Sequence, residues 1–253
     1  MNKLSIEKRT QIVAMLVKGG SINSACRVTG ASKNTVLKLL TEVGEACALH
    51  QDRFMAGLTC KKIQCDEIWS FVGMKEKNVP EEMKGVFVYG DVYTWTAIDA
   101  DTKLIPCWHV DTRGAESAHL FINDLASRLA NPIQLTTDGH KMYINAVENA
   151  FGGDIDYVML VKQYGNEGAL VETVRMNMRR LTRLTNAFSK KLENYMAAIS
   201  LHFMHYNFCQ IHKTLRVTPA MEAGLTDHVW GLEEVLMMVE TARKNVVPKD
   251  ASN

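Results

Sequence analysis

The chain reads as an α/β protein, a mixed sheet with helices, preceded by an all-α segment with a helix-turn-helix pattern. Three observations carry this reading. Apolar residues recur at helical spacing through residues 1–45. From residue 62 the period changes to short runs rich in Val, Ile, Tyr and Trp, separated by amphipathic stretches. Inside one such run, IQCDEIWSFVG (63–73), stand two acids, Asp66 and Glu67. A lone buried carboxylate is costly, so its presence there needs a reason.

The helical segment justifies itself element by element. SIEKRTQIVAMLVKGG opens on Ser5 as an N-cap, with Lys8 where a capping box would place Glu. Its stripe is Ile6, Ile12, Val13, Leu16 and Val17, and Gly19-Gly20 ends it. A short helix follows from Ser21 to Thr29 and stops at Gly30. A third helix, SKNTVLKLLTEVGEA, is capped by Ser32. Two short helices around a Gly-containing turn match a helix-turn-helix, with Ala25 at the close contact. Lys33, Asn34, Thr35 and Lys38 then lie on the recognition helix as DNA-contact candidates. A plain three-helix bundle is the alternative for the same pattern.

Residues 51–60 read as a linker between a 1–50 helix-turn-helix domain and a 61–215 domain, and residues 216–253 read as a C-terminal helical segment. The central region orders itself as three strands (KIQCDEIWSFVG, GVFVYGDVYTWTAID, KLIPCWHVD), a helix (ESAHLFINDLASRLA), a strand ending at Asp138, a helix (HKMYINAVENAFG) and a strand (DIDYVMLVK). From Glu172 to Phe208 the chain reads as helical and basic, and TPAMEAG and GLEEVLMMVETAR as further helical pieces.

Composition narrows the function. Of the 253 residues, 47% are hydrophobic, enough for a large core and too many for global disorder. No apolar run is long enough to span a bilayer, and the N-terminus lacks an export signal, so a cytoplasmic, nucleoid-associated protein with no membrane partner is expected. The six cysteines form no CxxC, which argues for reduced thiols and against zinc. The formal charge is only +1, but residues 1–45 carry seven bases against three acids, and residues 172–216 carry eight against two. Two basic ends flank an acidic middle, which suits a polyanion partner and a central metal or acid–base site.

The carboxylates are the candidates for that site. Neighbours in a strand face opposite sides, so Asp66 and Glu67 are expected to differ in role, Glu67 being structural or near the surface. Asp66 in mid-strand becomes reasonable beside a cation. Asp138 closes its strand before Gly139, the usual position for a site residue in an α/β sheet. If the two strands are neighbours, two carboxylates meet, and a third acid completes a hard oxygen site for Mg²⁺ or Mn²⁺. The plainer readings are a turn at Asp138-Gly139 and an Asp66 that is solvated or partners an Arg. His202, His205 and His212 read as packed, Trp69 as core, and Met237-Met238 as a helix contact.

DEIWSFVG, TDGHKMY, MNMRRLTRLTNAFSKK, HYNFCQIHKTLRVTPAMEAG and DHVW, spread over about residues 21–240, resemble the insertion-sequence transposases of the "insertion sequence one" family. The resemblance implies a ribonuclease-H-like domain with an Asp-Asp-Glu (DDE) metal site, and cutting and joining of DNA at element ends. Asp66 and Asp138 match the two aspartates. The family's Glu lies in a Glu-Arg-Gln-Asn-Leu-Thr-Met-Arg run, against VETVRMNMRR here. Counted to Arg175, Glu172 is three residues ahead where the family's Glu would be seven, about one turn out of register. An internal deletion is the simplest account. Glu172 is preferred as third ligand and Glu193 is the other candidate.

Arg175, Arg179, Arg180 and Arg183 read as phosphate contacts beside the site, or as a solvated basic face. The expected partners are double-stranded DNA (terminal inverted repeats and target) and further copies of the chain. The alternative is a catalytically defective derivative that only binds DNA, as a repressor or inhibitor.

Overall fold

The computed structural model describes residues 4–86, 88–160, 181 and 188–246. Three serines start the N-terminal helices as their chemistry dictates. Ser5 Oγ accepts from the Lys8 amide ahead of α1 (Ile6–Val17), Ser21 Oγ from Ser24 ahead of α2 (Ile22–Thr29), and Ser32 Oγ from Thr35 ahead of α3 (Lys33–Phe54). Gly30 ends α2 in the left-handed conformation, φ 66°, where a Cβ would be strained. α3 runs 22 residues, past the stretch read as its end and into the stretch read as linker.

The sheet has the order β3-β2-β1-β4-β5. β1 (Lys62–Val72) pairs antiparallel with β2 (Gly90–Asp99), and β2 antiparallel with β3 (Trp108–Asp111). β4 (Gln134–Asp138) and β5 (Asp156–Leu160) run parallel to β1. Three antiparallel strands followed by two parallel ones, with helices on both faces, make a ribonuclease-H-like mixed sheet. β2 and β3 are both shorter as strands than their sequences suggest. Gly90 starts β2 after two single-turn helices at 76–78 and 81–83. Ahead of β3, Ile105 is buried, and its amide and carbonyl bond to the Asn207 side chain (3.0 and 2.9 Å). That side chain supplies what a ladder would otherwise supply.

α4 (Ala115–Arg128) and α5 (Met142–Phe151) cover one face, where Trp95 meets Phe121 and Tyr143. α6 (Leu192–Met204) covers the other, where the Tyr195 hydroxyl bonds Thr94 at 2.7 Å and Phe203 meets Trp108. A π-helical turn (His205–Cys209), the short α7 (Pro219–Glu222) and α8 (Leu232–Val246) are the last of the described elements. His202 is buried against Phe203.

α3 lies along α6. Ser200 Oγ donates to the Gly44 carbonyl (2.7 Å), and Gln51 Nε2 donates to the Ser200 carbonyl (3.3 Å). Arg9 of α1 donates to Glu240 of α8 at 2.8 Å. One continuous hydrophobic core therefore includes Ile12, Val36, Leu40, Ile63, Trp95, Phe203 and Val239.

Candidate functional site

The site forms where β1 and β4 lie side by side. Their parallel register pairs Cys65 with Thr137, so the next residues, Asp66 and Asp138, are neighbours across the sheet. Asp138 is the last residue of β4, and the His140 amide donates to its Oδ1 at 3.0 Å. The turn thus fixes the carboxylate. Asp66 Oδ1 accepts from the Glu67 amide at 2.8 Å, which folds that carboxylate back along the strand.

Glu67 enters the site, which strict alternation does not foretell. Its side chain leaves the opposite face of β1, as the period of two requires. Yet one oxygen each from Asp66, Glu67 and Asp138 lie within 4.8 Å of one another. Glu67 is 8% exposed, so it is buried rather than near the surface. Its cross-strand partner is Trp95, whose indole N–H donates to the Thr112 carbonyl at 3.0 Å. That bond anchors the loop between β3 and α4 and presents the next residue, Arg113. The Arg113 Nε and Nη2 groups both donate to Glu67 Oε2 (3.1 and 3.0 Å), and Nη2 lies 3.6 Å from Asp138. The guanidinium also sits over the Tyr93 ring at 5.7 Å.

The electrostatics follow from this crowding. Burial pushes the Glu67 carboxyl up to about 7, against the pull of Tyr143; the Asp138 charge also raises it and Arg113 lowers it. Burial therefore outweighs a two-bond ion pair, as expected where desolvation is large. Burial also holds the His140 imidazole below its ordinary value, with Arg113 adding to the effect. Among the described residues, Glu67 Oε1 and the fully buried Tyr143 hydroxyl are neighbours without a well-formed hydrogen bond.

These residues fit a hard divalent cation. The donors are all carboxylate oxygens, as Mg²⁺ or Mn²⁺ prefers. Glu67 Oε1 is a buried acceptor with unused capacity, and Arg113 supplies the positive charge that three crowded acids need. Glu172, Arg175, Arg179, Arg180 and Arg183 lie outside the described residues. Glu193 lies in the first turn of α6 and lines a cleft facing the helix-turn-helix, apart from the three clustered acids. Lys33, Asn34 and Lys38 are exposed on the first turns of α3, and Thr35 is half-buried with its amide on Ser32. Glu67, expected to be structural or near the surface, and Arg113, which the sequence did not single out, both belong to the site. A second acid in an apolar strand was the available signal for Glu67. Arg113, on a loop 46 residues away, gave none.

Among known proteins, residues 86–209 match the model of a family described as a DDE domain. The match takes in Asp138 and Glu172 and begins after Asp66. No curated protein matches the chain. A solved structure described as the crystal structure of a pre-cleavage Mos1 transpososome aligns over 81% of this chain and 77% of its own, at 9% identity and a TM-score of 0.30.

Proposed function

We propose that this chain, whose residues 86–209 match a family model described as a DDE domain, is a DNA transposase of an insertion sequence, related to the insertion sequence one family. Its reaction is metal-dependent cleavage and strand transfer at the element's ends. The observation that carries this reading is the meeting of Asp66 and Asp138 on adjacent strands, within 4.8 Å of a third carboxylate oxygen.

Asp66, Asp138 and Glu172 would hold Mg²⁺ or Mn²⁺. The bound cation supplies charge stabilisation for an in-line displacement at phosphorus. The Glu67 amide holds the Asp66 carboxylate, and Arg113 balances the charge of the clustered acids. The His140 amide holds the Asp138 rotamer. Counted to Arg179, Glu172 stands seven residues ahead of the arginine that ends the Met-Asn-Met-Arg run, the family's own spacing. On that count the run keeps its length, no deletion is required, and the catalytic reading is favoured over a binding-only derivative. Lys33, Asn34, Thr35 and Lys38 read the terminal repeats, and Arg175, Arg179, Arg180 and Arg183 hold phosphates beside the cut. Two ends must be processed together, so the active form is a homo-oligomer on DNA.

Nicking and strand transfer are measured with purified protein, Mg²⁺ or Mn²⁺, and a duplex of the DNA that flanks this reading frame. Asp66→Ala, Asp138→Ala and Glu172→Ala should each lower the rate by about 10³-fold or more, since loss of a cation's stabilisation is worth several kcal/mol. Parental activity in Asp66→Ala sinks the assignment. Tight binding without cleavage by the parent protein makes the chain a DNA-binding derivative instead.

A further inference from the structure

A cleft of about 720 Å³ opens between the helix-turn-helix and the segment leading into α6. Lys33, Asn34 and Lys38 line one wall, and Lys190, Lys191 and Asn194 line the other. The four lysines are exposed; among the described residues of the lining the one carboxylate is that of Glu193, and Glu42 lies 4.0 Å from Lys38. Like charges facing each other across a gap repel, and a polyanion between them removes that repulsion.

Both walls are fixed. The α3 wall is held to α6 through Ser200 and Gln51. The opposite wall is stapled to the end of β1: the Gly73 amide donates to the Ser189 carbonyl at 2.8 Å, and Val72 and Ser189 form a bridge. Beside it, Phe188 packs on Phe71 of β1, ring centroids 4.9 Å apart. The cleft is thus a built feature of strand and helix ends, and the backbone that carries its lysines is tied on both sides.

We infer that this cleft grips the sugar–phosphate backbone of DNA, with Lys190 and Lys191 as phosphate-binding residues opposite the recognition turn. The inference rests on the reading of the chain as a DNA-processing enzyme. It adds a second, non-reading wall to the contact. A strand whose bases meet Lys33 and Asn34 would have its phosphates held from the α6 side. Lys190 and Lys191 would then raise affinity for every duplex alike and carry no sequence preference.

Equilibrium binding is measured by fluorescence anisotropy over a series of salt concentrations. The probes are a duplex of the flanking DNA and an unrelated duplex of equal length. The proteins are the parent chain, K190Q/K191Q and K190R/K191R, each checked for fold by circular dichroism. The slope of log K against log salt should become shallower by about 2 in K190Q/K191Q on both duplexes. The arginine pair should restore it, because charge is what a phosphate contact needs. A parental slope and affinity in K190Q/K191Q overturn the cleft assignment and leave the transposase reading intact. If the parent chain binds neither duplex, that reading fails and the cleft assignment fails with it.

Discussion

Glu67 and Arg113 show how one residue pair can reset the chemistry of a strand. Removing Arg113 leaves a buried carboxylate beside two others without its partner. Arg113→Ala should destabilise the fold by about 1–3 kcal/mol in urea unfolding, the low end reflecting a half-exposed guanidinium. Added Mg²⁺ should recover part of that loss, since a ligand that binds only the native state stabilises it. No recovery at any Mg²⁺ concentration would count against a cation at these acids. A second residue, His50, reports on a different region. Its ring stacks on Phe54 at 4.3 Å and meets the edges of Phe208 and Trp230. Burial, with Arg53 adding, pushes its pKa down to about 4 from an ordinary 6.5. The unfolded chain therefore binds the proton first as the pH falls. The contribution of His50 to stability is complete above about pH 6.5 and is lost progressively toward pH 4. Unfolding midpoints of the parent and His50→Gln should converge as the pH drops from 7.5 to 5, and parallel curves would refute the assignment.

At the level of elements, the contact between α3 and α6 decides how the two halves meet. A Cβ at Gly44 would sit 2.5 Å from the Ala197 Cα, closer than atoms of two backbones can approach. Alanine normally favours a helix over glycine by about 1 kcal/mol. Here the clash outweighs that gain, because relieving it means prising apart helices tied by the Ser200–Gly44 bond. Gly44→Ala should lower stability by about 1–3 kcal/mol, read by denaturant midpoint, whereas a rise would show that the helices have room. The helix starts at Ser5, Ser21 and Ser32 were legible because a cap is a local event: one hydroxyl and one amide three residues on. The short β3 was not, because the groups that replace its ladder come from Asn207, 102 positions away.

Across the whole molecule, the N-terminal helices and the sheet domain share one core, and the chain should not divide at residue 60. α3 buries Val36, Leu39, Leu40 and Val43, each worth about 1.5–3 kcal/mol when fully removed from water. A fragment of residues 61–253 would expose the α6 and α8 surfaces these residues cover. It should aggregate or lose cooperative unfolding, as followed by size-exclusion chromatography and near-UV circular dichroism; a monomeric, cooperatively folding fragment would show the units to be independent. Among the described helices, none is long and apolar enough to cross a membrane. By itself the sequence determined the element order, the caps, the mixed α/β class and the two aspartates as site candidates. Period, turn chemistry and a charge in an apolar strand are all written locally. Only the tertiary structure decided that β4 lies beside β1 and brings Asp138 to Asp66. It also decided that Glu67 reaches the same oxygens from the other face, and that a loop arginine and a pair of lysines far along the chain from the recognition helix complete the charged surfaces. Those are distances between residues far apart in the chain, and they are set by register and packing, which no local pattern encodes.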